Sequence, residues 1–372
     1  MMKLIKTICG MLILALVGSV DISLAQSQQK GYALKLGKVP MSAKFVNDTM
    51  SIWGASLIKG GDGLYHLYYS QWKKSLGWAW VTDSEIAHAV SKSPFGPFTF
   101  QDVFLPKRGD EYWDGLCTHN PTIHRFGGKY YLYYMGNTGD GVVTGTPGKE
   151  ALNWTHRNNQ RIGVAVADNP NGPWERYDQP LIDNSSDSLA IDALMTSNPS
   201  MTQRPDGTYL FIYKGVGMHY PLPGGGPVLH CVATSDSPVG PIKKYDVPIF
   251  EVKGERFPAE DPYIWYEENR YRAIVKKISN AKDPVTGKMI RGFSLVLYES
   301  ADGFDRKLAE DYLISDRTIT WENGHSERLV HLERPQVFFE DGRPTVLLCA
   351  ADFLDANGVR QSFNLQIPLI RK

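Results

Sequence analysis

Short runs in which apolar and polar residues alternate recur along most of the chain. Three examples are "EIAHAVSKSPFGPF" from Glu85, "RIGVAVADNPNGPW" from Arg161 and "LHCVATSDSPVGPI" from Leu229. Turn-forming Gly, Pro, Asn and Asp follow each run, and helical periodicity of useful length is missing after the first 25 residues. Alternation with a period of two between turn residues is typical of antiparallel β-strands. The pattern therefore predicts an all-β protein.

Four longer segments share one frame, in which two polar residues precede a proline, a short strand, a turn and a second strand. They are "HNPTIHRFGGKYYLYYMGN" from His119, "SNPSMTQRPDGTYLFIYKG" from Ser197, "EDPYIWYEENRYRAIVKK" from Glu260 and "ERPQVFFEDGRPTVLLCAAD" from Glu333. A fifth copy, "WGASLIKGGDGLYHLYYSQW" from Trp53, has Ala55 in place of the proline. Five such units of about 70 residues each predict a five-bladed β-propeller.

The amino-terminal segment does not share this frame. Lys3 and Lys6 precede an apolar run, and Ser23-Leu24-Ala25 has the form of a signal-peptidase site. We expect residues 1–25 to be a signal peptide, residues 26–372 to form one catalytic propeller domain, and the mature protein to be secreted or periplasmic. No later stretch approaches the ~20 apolar residues of a membrane helix, so we expect no membrane span.

Charge and cysteine content exclude some partners. Lys plus Arg and Asp plus Glu number 40 each, which argues against a nucleic-acid partner bound by a broad basic face. The cysteines after the amino-terminal segment are Cys117, Cys231 and Cys349, an odd number that predicts no disulfide framework.

The residues that flank each repeat proline are the first candidates for a functional site. Innermost strands of a propeller converge on its axis, so these side chains should share one funnel. The set is His119, Asn120, Ser197, Asn198, Glu260, Asp261, Glu333 and Arg334. Asx-Pro steps also cap turns, so Asn120 and Asn198 admit both interpretations, whereas three acids in one ring favour a function.

A second pair of acids shares a longer context. Asp114 and Asp192 both begin the pattern Asp-x-x-x-Thr-x-Asn-Pro. They are candidate catalytic residues if they project into the funnel, and structural residues if they only satisfy groups between blades.

The blade pattern, the "SPFGPF" and "NPNGPW" turns and the "EDP" and "ERP" steps resemble the five-bladed glycoside hydrolases of families 43 and 117. This resemblance implies catalytic carboxyl groups on the innermost strands, one protonated and one ionised. We expect Asp261 and Glu333 to form that pair. Because the related propellers resemble inverting enzymes, we expect the two groups to lie roughly 6.5–9.5 Å apart.

Two features bear on how far the resemblance extends. The family 43 pattern implies a general base in the first blade, where this chain has Gly54. The family 117 pattern implies a histidine acid before the "ERP" step, which would be His325, with His331 as a rival.

Cations, aromatic residues and long connections complete the predicted site. Lys214, Lys276 and Arg334 could neutralise the acids or hold a carboxylate or sulfate of an acidic sugar. Trp53 and Trp113 are the predicted platforms for a sugar ring. Segments 138–160, 215–228 and 279–292 interrupt the blade rhythm, and we expect them to wall the funnel.

The sequence thus predicts a secreted glycoside hydrolase that acts on a terminal sugar, acidic or neutral, of a plant or algal polysaccharide fragment, without a metal or other cofactor. Two alternatives stay open: a non-catalytic carbohydrate-binding propeller, and a polysaccharide lyase that uses His119 or His325. The polar residues at the strand mouths differ between blades, which favours an enzyme over a lectin.

Overall fold

The computed structural model describes residues 32–146, 151–283 and 286–371. The predicted signal peptide lies outside these residues. Within them the chain forms five antiparallel sheets that follow one another in sequence, which confirms the predicted five-bladed β-propeller. None of the helices in this part of the chain is long and apolar enough to cross a membrane.

Each of the first four blades is built from four strands, which run in order from the innermost strand outward. Blade 1 comprises Met50–Lys59, Tyr65–Lys73, Glu85–Ser91 and Thr99–Leu105. Blade 2 comprises Cys117–Phe126, Lys129–Asn137, Arg161–Ala167 and Glu175–Arg176. Blade 3 comprises Met195–Gln203, Tyr209–Val216, Val228–Ser235 and Lys243–Ile249. Blade 4 comprises Ala259–Glu267, Arg270–Lys277, Leu295–Ser300 and Lys307–Ser315.

The fifth blade joins the two ends of the propeller. Its inner three strands are His331–Glu340, Arg343–Leu354 and Arg360–Arg371. The amino-terminal strand Leu34–Leu36 pairs with the last of these, with Leu34 opposite Arg371, and so supplies the outermost strand. A second short strand, Lys44–Phe45, pairs with the same partner nearer its beginning. The start of the propeller therefore completes the blade formed by its end.

Smaller elements lie in the connections. The α-helices Trp80–Asp83 and Trp154–Asn158 join the second and third strands of blades 1 and 2. The remaining elements are the 3₁₀ helices Met41–Ala43 and Lys74–Leu76, and two hairpins formed by Ala281–Lys282 with Met289–Ile290 and by Thr318–Thr320 with Ser326–Arg328.

Apolar side chains are buried between neighbouring blades. Tyr68 and Leu132 pack in the contact of blades 1 and 2, for example, and Leu67 and Leu348 pack in the contact of blades 1 and 5. Alternation along each strand sends successive side chains to opposite faces, and both faces of a blade are covered by its neighbours. This explains why the strands are rich in apolar residues at many consecutive positions.

The innermost strands share an irregularity at the repeat frame. In every blade the pairing register between the first and second strands shifts at this point. The residue at the shift has a positive φ in each case: Gly54 (46°), Asn120 (54°), Asn198 (52°), Asp261 (52°) and Arg334 (52°). A β-bulge of this kind redirects a side chain away from the sheet. The five bulges place five equivalent residues around the axis.

Candidate active site

A cavity of about 140 Å³ opens where the bulged ends of the innermost strands meet. One wall is aromatic and is formed by Trp53, Trp72, Trp78, Trp80 and His119. The rest of the lining is polar and comprises Asn120, Gln160, Asn198, Lys214, Glu260, Asp261, Glu333 and Arg334. All the predicted residues at the proline frame except Ser197 therefore line one cavity.

Hydrogen bonds link the bulge residues around the axis. Asn120 Nδ2 donates to Asn198 Oδ1 (2.8 Å), and Asn198 Nδ2 donates to Asp261 Oδ1 (2.7 Å). Arg334 Nη1 donates to the same Asp261 oxygen (3.4 Å), and Arg334 Nη2 donates to the Asn120 carbonyl (3.3 Å). These side chains are almost fully buried, so the ring is a fixed floor beneath the cavity.

Gly54 is the fifth member of this ring and leaves room for the others. A Cβ atom added to Gly54 would lie 2.8 Å from Asn120 Oδ1 and 3.5 Å from Arg334 Cγ and Nε. The position at which the family 43 resemblance implies a general base is thus occupied by the side chains of Asn120 and Arg334. A carboxylate in the first blade has no space here.

Three acids and two lysines form the charged wall. Lys276 Nζ donates to Glu333 Oε1 (2.5 Å) and Glu260 Oε2 (3.0 Å), and Lys214 Nζ donates to Glu260 Oε1 (3.2 Å). Together with Asp261 and Arg334 this makes three carboxyl groups and three cations, so each acid of the cluster has a cation to match it in number. The predicted cations are engaged with the acids of the same wall.

Burial and neighbouring charge separate the proton affinities of the acids. Burial would raise the pKa of Glu260, but the ammonium groups of Lys276 and Lys214 outweigh it and hold this pKa well below its usual range. Burial raises the pKa of Asp261, and the negative charge of Glu260 adds to it. Burial also raises the pKa of Glu333, although Lys276 opposes it. Glu260 is therefore the ionised member, and Glu333 holds a proton more readily.

The spacing of the acids differs from our expectation. Glu260, Asp261 and Glu333 each offer an oxygen within 4.8 Å of the others. Inverting glycosidases keep their two carboxyl groups roughly 6.5–9.5 Å apart, whereas oxygens of Asp261 and Glu333, the pair that we expected, approach more closely than this. Lys276 bonds to both Glu260 and Glu333 and draws the two glutamates together, and Asp261 follows Glu260 directly in the same strand. Acids at this spacing could also hold a divalent cation, but the lysine ammonium already provides positive charge between two of them.

The aromatic wall is built from rings that pack edge to face. Trp78 meets Trp53 at 5.2 Å and 90°, and Trp72 at 5.2 Å and 82°. Trp80 lies 5.1 Å from the ring of His119, which also shares a hydrogen bond with Ser84 Oγ (2.7 Å). Burial, and the positive charge of Arg334, hold the pKa of His119 well below its usual range. This histidine is therefore neutral and belongs to the apolar side of the cavity.

Asp114 and Asp192 are not among the residues that line the cavity. Asp114 accepts hydrogen bonds from Tyr134 Oη (2.6 Å), Arg108 Nε (2.8 Å) and Arg176 Nη2 (2.6 Å). Asp192 likewise accepts from Tyr213 Oη (2.9 Å) and Lys244 Nζ (2.6 Å). Both acids have structural contacts, but they connect strands within one blade rather than groups between blades.

Three other candidates also lie away from the cavity lining. His325 is exposed in the turn of the hairpin between Thr318–Thr320 and Ser326–Arg328. His331 Nδ1 lies 2.9 Å from both carboxylate oxygens of Asp352. Trp113 stacks on Tyr134 at 5.8 Å. The structure does not bring these side chains to the acids.

Some lining residues were not predicted from the sequence. Trp72, Trp78 and Trp80 form a cluster of tryptophans in the sequence, but nothing in their local pattern distinguishes them from core aromatics. Gln160 ends segment 138–160, which is one of the three segments predicted to wall the funnel. The sequence offers one further signal, which concerns the structural role of Asp114 and Asp192. Tyr134 and Tyr213 each begin a Tyr-x-Gly pattern, and a Cβ atom added to Gly136 or Gly215 would collide with Asp114 or Asp192, respectively.

Comparisons with known proteins identify the fold, but the sequence identity to the similar structures is low. No protein-family model and no curated protein sequence matches the chain. Among solved structures, it is similar to Zg3597, a family 117 glycoside hydrolase produced by the marine bacterium Zobellia galactanivorans, with 16% identity over 91% of this chain and 90% of that one and a TM-score of 0.59. It is also similar to BT0996 in a complex with RGII, with 14% identity over 90% of this protein and 92% of that one and a TM-score of 0.61.

A third similar structure is the Bacillus subtilis arabinanase Arb43A, with 14% identity over 87% of this chain and 95% of that one and a TM-score of 0.52. The similar structures include family 43 and family 117 glycoside hydrolases. The chain has the five-bladed β-propeller fold of these glycoside hydrolases.

Proposed function

We propose that the protein is a glycoside hydrolase that acts on a terminal sugar of a plant or algal polysaccharide fragment. The observation that carries this proposal is the set of Glu260, Asp261 and Glu333 facing a tryptophan wall across one small cavity. Sugars have flat apolar faces and polar edges, so such a cavity can bind both. The similar glycoside hydrolase structures support the same class of reaction.

The size of the cavity supports recognition of one sugar residue. Its volume of about 140 Å³ lies below the roughly 300–1,000 Å³ of pockets that enclose drug-sized ligands. One ring can stack on the face of either Trp53 or Trp78, whose planes are perpendicular, while its hydroxyl groups meet the polar wall. The rest of an oligosaccharide would extend out of the mouth, which corresponds to action at a chain end.

The two glutamates differ in protonation as glycoside hydrolysis requires. Glu333, with its raised pKa, would donate a proton to the glycosidic oxygen. Glu260, held ionised by two lysines, would attack the anomeric carbon as the bond to the leaving group breaks. Water would then hydrolyse the glycosyl-enzyme ester with Glu333 as base. The short spacing favours this retaining course, since retaining enzymes place the carboxyl groups about 5–5.5 Å apart. Asp261, bonded to Asn198 and Arg334, would fix the floor beneath them.

Turnover of an oligosaccharide panel by purified variants tests the proposal. Glu333→Gln and Glu260→Gln should each lower kcat/KM by about 10²–10⁴-fold, because each removes one participant in acid–base or covalent catalysis. The wild-type rate should fall as pH rises through the pKa of Glu333, since the donor loses its proton. Glu340→Gln is the matched control, because Glu340 lies at the exposed far end of the same strand as Glu333.

Several results would contradict the proposal. Full activity in both variants would remove the glutamates from the mechanism. Binding of oligosaccharides without turnover would identify a carbohydrate-binding propeller, and unsaturated products that absorb ultraviolet light would identify a lyase. Proton magnetic resonance identifies the anomer that is formed first. An inverted anomer would contradict the retaining course and would mean that a base activates water in place of attack by Glu260.

A further inference from the structure

Cations without a carboxylate partner lie beside the cavity. Lys214 and Arg334 of the cavity lining, and Lys276 next to it, are all engaged with acids. By contrast, Arg291, Arg317 and Arg328 have no carboxylate within 4.0 Å among the residues that the structure describes. We call these three residues the arginine rim.

The arginine rim lies at the end of the propeller where the cavity opens. Lys277 ends the second strand of blade 4 and pairs with Ala259, which begins the innermost strand of that blade. The connection 278–294, which carries Arg291, therefore starts at the end of the propeller where the cavity opens. The connection 316–330, with Arg317 and Arg328, leads directly into the innermost strand of blade 5. The described residues of both connections therefore belong to the cavity end of the propeller.

The charges of the arginine rim act on one another. Burial lowers the pKa of Arg317, and the positive charges of Arg328 and Arg291 lower it further. The opposing negative charges on Arg317 come from Asp316 and Glu333. Influence from Glu333 shows that Arg317 is near the charged wall of the cavity, and three guanidinium groups facing two acids leave the rim positive.

Arg317 has features that turn geometry alone does not explain. Its φ of 81° is a left-handed conformation that glycine or asparagine would adopt at lower cost. Its Nη1 donates to the Val330 carbonyl (2.6 Å), which fixes the orientation of the guanidinium group, and its buried Nε has no hydrogen-bond partner. The side chain is thus held in place, and its Nη2, which makes no hydrogen bond to the residues that the structure describes, remains as a donor for a ligand.

Phe293 connects the arginine rim with the catalytic cluster. Its ring centroid lies 5.9 Å from Lys276 Nζ and 5.5 Å from Arg317 Cζ, and the side chain is 42% exposed. One aromatic ring therefore separates the lysine that bonds to Glu333 from the first arginine of the rim. A sugar that continues out of the cavity on this side would pass over an exposed ring and meet guanidinium groups.

We propose that the arginine rim binds an anionic substituent, a carboxylate or a sulfate ester, on the sugar residue next to the one held in the cavity. This inference rests on the proposed carbohydrate function. Arginine presents a planar fork of donors that matches both groups. Phe293 would stack on the same sugar and orient its substituent towards Arg317. The rim would then select acidic fragments even though the cations at the cavity itself are engaged with acids.

Calorimetry with two matched pairs of probes tests this inference. The probes are oligogalacturonides with their methyl esters, and sulfated galactan oligosaccharides with their desulfated forms. The wild-type protein should bind one anionic probe about tenfold or more tightly than its neutral partner, because a hydrogen bond between two charged groups is roughly twice as strong as one between neutral groups. The preference should decrease as NaCl is raised. Whether the carboxylate or the sulfate pair shows it identifies the anion.

Variants assign the preference to the arginine rim. Arg317→Gln, and Arg291→Gln combined with it, should abolish the preference while leaving affinity for the neutral probes unchanged. Arg343→Gln is the matched control, because Arg343 is exposed and begins the second strand of blade 5, at the opposite end of the innermost strand. A preference that survives in the double variant, or equal wild-type affinity for both members of each pair, would overturn the inference.

The outcome separates this inference from the proposed function. Turnover of neutral and anionic substrates with equal efficiency would sink the inference and leave the hydrolase intact. If an anionic probe binds in a way that depends on Arg317 but no substrate is turned over, the inference stands and the proposed hydrolase activity is wrong. Failure to bind any of the four probes would count against both.

Discussion

Gly54 shows how one residue without a side chain determines the floor of the cavity. Asn120, Asn198, Asp261 and Arg334 adopt nearly the same positive φ without being glycine, so the bulge conformation alone does not require one. The close approach of Asn120 Oδ1 does. The glycine therefore marks the place where Arg334 reaches across the axis to the carbonyl of Asn120.

We expect Gly54→Ala to lower the free energy of unfolding by about 1–3 kcal/mol, because the new Cβ would displace Asn120 at a strained backbone position. Turnover should also fall as the ring of hydrogen bonds shifts. Urea denaturation measures the first effect. Gly61→Ala is the control, since a Cβ there meets nothing within 4 Å and should change stability by less than about 0.5 kcal/mol. Equal stability of the two variants would show that the floor adapts.

Repetition made part of the site predictable at this scale. The frame around each proline located Asn120, Asn198, Asp261 and Arg334 because equivalent positions in a propeller converge on the axis. The proton affinities of Glu260 and Glu333 could not be predicted in this way. They depend on Lys276, which comes from the second strand and bonds across two blades.

At the scale of elements, Asp114 and Asp192 tie the outer edge of a blade to its inner edge. Asp114 precedes the innermost strand of blade 2, Tyr134 lies on the second strand and Arg176 on the outermost. Asp192, Tyr213 and Lys244 repeat the arrangement in blade 3. The shared Asp-x-x-x-Thr-x-Asn-Pro context therefore reflects one structural device used twice.

Asp114→Asn should destabilise the protein by about 3–5 kcal/mol, since it leaves Arg108 and Arg176 without their buried carboxylate. Activity per folded molecule should not change, because the side chain lies outside the cavity lining. Thermal unfolding and turnover at a temperature where the variant is folded would check both statements. Loss of turnover in a fully folded Asp114→Asn protein would return this acid to the catalytic candidates.

Strand pattern predicted the blades well because alternation and turn residues are local signals. The connections were less predictable. Segment 138–160, one of those predicted to wall the funnel, does provide Gln160. Two of the four wall tryptophans, Trp78 and Trp80, come from a shorter connection, and the other two lie on strands of blade 1. Packing between blades determines which connection folds towards the cavity. Short sequence motifs do not contain this information.

At the scale of the whole molecule, buried neutral histidines make stability depend on pH. Burial lowers the pKa of His88 to about 4 and that of His230 to about 3. The same side chains titrate near a pKa of about 6.5 when unfolded. Below pH ~6.5 the unfolded protein binds more protons than the folded one, so stability should fall with pH and level off near the folded values.

The urea midpoint should therefore decrease steadily between about pH 7 and pH 4. His230→Phe should make this decrease shallower, because it removes a buried imidazole that has an unpartnered Nε2. His325→Gln, at an exposed site, should leave the slope unchanged. A midpoint that stays constant over the upper part of this range would mean that the histidines gain protons without opening the fold.

The closing strand pair has a consequence for how the protein is made. Leu34–Leu36 pairs with the strand Arg360–Arg371, so its partner is synthesised only after the strands of all the intervening blades. Until blade 5 is made, blade 1 lacks Phe338, Val346 and Leu348, which cover one of its apolar faces. A nascent polypeptide must carry that uncovered face while blades 2, 3 and 4 are synthesised. Ring closure is thus a late event in synthesis, and chaperones that shield apolar sheet surfaces have the longest opportunity to act on the first blade.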